Sequence, residues 1–134
     1  MIVKPDTLEH LVLYQADDDW LELGNPHYYA GYFESDLVKR KALLLDTIRS
    51  LADAGYLKIG QLERRDPGKP RSLDWQEWPG TLDDQMARLA EVYTPEVDDD
   101  DDWFYSCWFD LTDAGQHVID ALPQPDHRFF KGAL

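Results

Sequence analysis

The sequence predicts an α+β fold, mainly helical, in one domain spanning residues 1–134. Three observations predict it. Leu37, Leu44, Leu45, Ile48, Leu51 and Ala52 recur with the period of one helix face. Gly55 follows where a left-handed C-cap belongs, and Tyr56-Leu57-Lys58-Ile59 then reads as a strand. Further on, Trp103 to Phe109 reads as a second strand, and Thr112 caps a closing helix. The order is helix, strand, insertion (residues 64–102), strand, helix.

The remaining elements follow from local signals. Asp6 with Glu9 predicts a capping box for a first helix carrying Leu8, Leu11 and Val12. Asp17-Asp18-Asp19 ends it, and Trp20, Leu21 and Leu23 return the chain to the core. Asn25-Pro26 predicts the start of a short helix bearing Tyr28, Tyr29 and Tyr32. Gly60 marks a bulge or bend, and the stretch Arg64 to Arg71, with Pro67, Gly68 and Pro70, reads as a loop. Thr81 and Asp84 cap a helix whose inner face is Leu82, Met86, Leu89 and Tyr93. The run Asp98, Asp99, Asp100, Asp101 and Asp102 repels itself and reads as a solvated loop. After it, Trp103, Tyr105, Cys107 and Phe109 alternate with Phe104, Ser106 and Trp108, a strand covered on both faces. The last helix holds Val118, Ile119 and Leu122 and stops at Pro123. The tail 124–134, with His127, Phe129 and Phe130, packs back on the body or on a partner.

Composition narrows the function. A chain of 134 residues buries roughly two-thirds of its unfolded surface, enough for a core without staples. The single cysteine, Cys107, excludes an internal disulfide and reads as a buried thiol. No stretch approaches the ~20 apolar residues of a membrane span, and the N-terminus lacks a signal-peptide core. The expectation is a cytoplasmic protein with no membrane partner. The net charge of −14 is uneven: +2 over residues 34–65 and −9 over residues 81–110. An acidic chain repels phosphate backbones, so nucleic acid would have to meet the basic segment.

Leu51-Ala52-Asp53-Ala54-Gly55-Tyr56-Leu57 and Leu111-Thr112-Asp113-Ala114-Gly115 together resemble bacterial winged-helix domains. They are similar to those of the multiple-antibiotic-resistance regulators and padR-type regulators. In that family a Leu-x-x-x-Gly-Leu pattern ends a helix and feeds the first wing strand. A Leu-Thr-x-x-Gly pattern then closes the second wing strand and opens the next helix. The resemblance implies a winged-helix-like domain whose wing carries a long helical and acidic insertion. Family wings are usually short, so residues 64–102 depart from the pattern.

His10, His27, His117 and His127 fall at no metal-ligand spacing, and the aspartate run lacks the Gly and Glu of a calcium loop. No cofactor is expected. No nucleophile elbow or phosphate loop occurs, and no acid pair stands out, so the expectation is not an enzyme. Two readings remain. Trp75, Trp78 and Trp103 beside Asp98 to Asp102 suit an interface that captures a basic protein partner, as an inhibitor or immunity protein would. The alternative is a DNA-binding regulator. It would use Lys39, Arg40 and Lys41 of the third helix, with Arg64, Arg65, Lys69 and Arg71 at the wing turn.

Overall fold

The computed structural model describes residues 1–17, 19–69, 71–97 and 101–130. Five α-helices and a four-stranded antiparallel sheet make an α+β fold among the described residues. Helix α1 spans Leu8–Ala16, strand β1 Leu21–Glu22, α2 Gly24–Ala30 and α3 Leu37–Asp53. Then come β2 Leu57–Arg64, β3 Leu73–Glu77, α4 Leu82–Val92, β4 Trp108–Leu111 and α5 Asp113–Asp120. The sheet order is β1-β4-β2-β3.

The helix boundaries are set by side-chain caps. Asp36 accepts from Lys39 N–H to open α3, and Thr112 accepts from Gly115 N–H to open α5. Thr81 and Asp84 complete the expected capping box of α4. Gly55, at φ +81°, ends α3 as expected. Tyr56 N–H reaches Leu51 O at 2.9 Å and Gly55 N–H reaches Ala52 O at 3.0 Å, the paired bonds of a Schellman turn. Two start signals are corrected. Thr7, not Asp6, caps α1, because Asp6 sits at φ +63° with its N–H spent on His10 Nδ1. Helix α2 begins at Gly24, so Asn25 and Pro26 lie inside its first turn, where proline loses no helical bond.

The expected pairing of Leu57 and its neighbours with the strand before Thr112 is present: Leu57 faces Leu111, and Gly60 faces Trp108. Thr112 Oγ1 also donates to Gly55 O at 2.6 Å, joining boundaries 57 residues apart. Two parts of the sheet differ from expectation. Residues 64–102 do not simply loop out: β3 returns from the basic turn and pairs with β2 from Gly60↔Glu77 to Arg64↔Leu73. Residues 103–107 are not strand: Asp101–Tyr105 is a 3-10 turn, and β4 begins only at Trp108. The alternation of large residues there comes from a turn that sends Trp103 inward and Tyr105 outward.

Cross-strand partners share a sheet face. Leu21, Phe109 and Ile59 form one row, buried against Leu44, Ile48 and Leu51 of α3 in the main core. Leu37, expected on that buried face, is exposed, since burial along α3 starts at Leu44. The opposite face carries Glu22, Trp108, Gly60 and Glu77, with Trp75 one step along β3. The tail packs back: Phe129 is buried beside Tyr32 and Phe33, and Phe130 meets Tyr14 and Tyr29.

Candidate functional site

Two rings that flank the acidic run in the sequence meet in the fold. Tyr93, the C-cap of α4, precedes it, and Trp103, in the 3-10 turn, follows it. Both rings close on His27 of α2: the imidazole lies 5.6 Å from Tyr93 and 4.7 Å from Trp103, edge to face, and the two flanking rings are 5.4 Å apart. Tyr93 Oη is 2.5 Å from His27 Nδ1, and Arg40 Nη1 is 3.4 Å from His27 Nε2. A guanidinium can only donate, so Nε2 must hold the lone pair and Nδ1 the proton that it gives to Tyr93 Oη. Burial, then the Arg40 charge, holds the His27 pKa down at about 4. Burial likewise pushes the Tyr93 phenol up. The clamp is neutral His27 between two aromatic rings.

Lys41 completes it from α3, bonding Glu96 at 3.1 Å and lying over the Tyr93 ring. Arg40 donates through Nε to Glu34 O at 2.9 Å and through Nη2 to Ser35 O at 3.1 Å. Arg49 is bonded to Asp83. Of the three cations expected to face DNA from α3, Arg40 and Lys41 are therefore held within the fold, and among the described residues Lys39 has an exposed side chain. The acceptors that hold them are a backbone turn and a distant glutamate, which residue spacing does not reveal.

The basic turn is different. Asp66 and Ser72 build it: Gly68 N–H donates to Asp66 Oδ1, and Ser72 Oγ bridges to Asp66 O and Lys69 O. Arg64, Arg65, Lys69 and Arg71 project from this hairpin tip and are all exposed. Arg65 lies 3.8 Å from Asp74, a surface pair of little energetic weight.

The tryptophans expected as anchors are corrected in two cases. Trp78 is 2% exposed, its Nε1 bonded to Gln61 Oε1 and its ring under the Arg88 guanidinium. Trp103 is 8% exposed inside the clamp. Both belong to the main core, in one cluster with Ile48, Ile59 and Phe109, and present no ring to a partner. Trp75 is half-buried: it lies across Gly60, where a Cβ would come within 2.7 Å of the indole, and donates to Trp108 O at 3.1 Å. Asp98, Asp99 and Asp100 lie outside the described residues, as does the Asp101 side chain; Asp102 is exposed.

Other rings, which tryptophan counting missed, are displayed beside the run. Tyr28 is 63% exposed and Tyr105 64% exposed. Phe104 lies between them, 6.0 Å from Tyr28 and 4.7 Å from Tyr105, and Tyr105 stacks on Trp108 at 6.1 Å. Gly24 makes room, since a Cβ there would meet the Phe104 ring at 2.0 Å.

Cys107 is buried, and burial raises its thiol pKa, so it is a poor nucleophile. His10 is buried too; it accepts from Asp6 N–H through Nδ1, and burial lowers its pKa. Among the described residues, no three His, Cys, Asp or Glu side chains converge as metal ligands. No helix among them is long and apolar enough to cross a membrane. No protein-family model, curated protein or solved structure matches the chain.

Proposed function

We propose that the chain is a non-enzymatic interaction module on a winged-helix-like scaffold, and that it captures a basic protein partner through the acidic, aromatic surface of its insertion. The observation that carries this reading is the clamp. Tyr93 and Trp103, on either side of the aspartate run in the sequence, meet on one buried histidine. Concentrated negative charge steers an oppositely charged partner and speeds encounter. The scaffold reading rests on the two boundary motifs at Gly55 and Thr112, which are bonded to each other. It departs from the short-winged pattern by adding β3 and α4 before the returning strand.

One observation favours DNA contact instead: four exposed cations at a hairpin tip, the shape that enters a minor groove. The titration that decides uses a fluorescent nona-lysine peptide and random duplex DNA at about 0.15 M salt, where the Debye length is roughly 8 Å. The interaction reading expects peptide binding that weakens with salt through a slower on-rate. It also expects slower association when Asp98 to Asp102 are changed to Asn. Duplex binding at that salt, lost in Arg64→Ala with Arg65→Ala, would replace it with the DNA reading.

A further inference from the structure

The geometry points to a recognition site for an arginine side chain, at the exposed face of Tyr105 where the 3-10 turn meets β4. This rests on the interaction reading above and names the chemistry its partner must carry. Tyr105 is an exposed ring that is nevertheless fixed, backed by Phe104 at 4.7 Å and stacked on Trp108 at 6.1 Å. Phe104 is itself seated in the space that Gly24 leaves open. An exposed aromatic held still loses little freedom on binding, which is what makes a ring an efficient anchor. Trp108, behind it, is the register partner of Glu22 across β1 and β4, and cross-strand partners stand on the same face. The turn that carries Tyr105 begins inside the aspartate run, at Asp101, and includes Asp102.

The site thus offers a fixed π face, with the Glu22 carboxylate on the sheet face that carries Trp108. The flat, weakly hydrated guanidinium of arginine suits both parts: it stacks on the ring and pairs bidentately with a carboxylate. A lysine ammonium satisfies the charge but is more strongly hydrated and does not stack. The partner is accordingly an arginine-bearing segment of a basic protein. Charge complementarity to the −9 segment of residues 81–110 selects that occupant over an acidic or neutral one.

The test compares fluorescent nona-arginine and nona-lysine peptides, equal in charge, by titration at about 0.15 M salt. The expected result is tighter binding of the arginine peptide, on the order of five- to tenfold. Tyr105→Ala should erase that preference while leaving lysine-peptide binding intact, and Tyr105→Phe, which keeps the ring, should retain it. Equal affinity of the wild-type protein for both peptides, or a preference that survives Tyr105→Ala, would overturn the arginine site and leave the interaction reading standing. Failure of both peptides to bind would overturn the two together.

Discussion

Two basic stretches, alike in sequence, end in opposite circumstances. Lys39-Arg40-Lys41 opens α3, and Arg64-Arg65 with Lys69 and Arg71 turns the β2–β3 hairpin. In the first, Arg40 ties down the chain between α2 and α3, and Lys41 reaches across to Glu96. In the second, the backbone of the turn is satisfied by Asp66 and Ser72, so the cations are left to solvent. The lesson is that a cation becomes available only when something else does its local structural work. At the hairpin, short polar side chains hold the turn; at α3, the arginine itself holds it.

This contrast can be broken or sharpened experimentally. The largest effect belongs to the core beneath α3: Ile48→Ala should cost about 2–5 kcal/mol in urea melts, the range for emptying a buried aliphatic site. An unchanged midpoint would mean that α3 is not seated as described. Next comes the clamp that Arg40 faces. Neutral His27 contributes fully above its unfolded pKa of 6.5, and the contribution declines as pH falls towards about 4, because the folded protein resists a proton that the unfolded chain accepts. The loss should total roughly 3 kcal/mol. It should appear as a difference between the pH–stability curves of wild type and His27→Gln; parallel curves would refute the buried neutral imidazole. Arg40→Ala should then cost about 1–2 kcal/mol, since it removes a part-buried bond to Glu34 O and an exposed one to Ser35 O. Arg64→Ala should change stability least, by about 0.5 kcal/mol or less, as an exposed hairpin cation. If Arg40→Ala and Arg64→Ala were equally mild in thermal melts, the distinction between held and displayed cations would fail.

Legibility in the sequence followed the range of the interaction. Gly55, Thr81 with Asp84, and Thr112 act within four residues of themselves, so the ends of α3, α4 and α5 could be read directly. The pairing of β2 with β4 was legible because those boundary signals bracket it. Strand β3 was not: Leu73-Asp74-Trp75-Gln76-Glu77 is polar at an edge, and its inward support comes from Gly60 yielding room to Trp75. The 3-10 turn escaped because Trp103 to Cys107 alternates like a strand, while His27, far upstream, draws Trp103 inward. For the candidate site, the acidic run and its aromatic company were visible, but which rings face outward was not. Trp78 looked like an anchor and is core; Tyr105 and Tyr28 looked ordinary and are displayed. Ring identity is a sequence property, whereas exposure depends on partners such as Gln61 and Gly24.

The sheet order also sets a timetable. Strands β2 and β3 are joined by a short turn and can meet early, whereas β4 reaches β2 only when Thr112 is brought to Gly55 across 57 residues of chain. That late closure must draw together a segment carrying the five consecutive aspartates, so self-repulsion opposes the step that completes the sheet. Folding should therefore be slow at low ionic strength and accelerate as salt shortens the reach of the charges, with unfolding much less affected. Stopped-flow refolding over a salt series would reveal it in the folding limb alone. The charge on which the proposed interaction rests would then also govern how fast the sheet is completed.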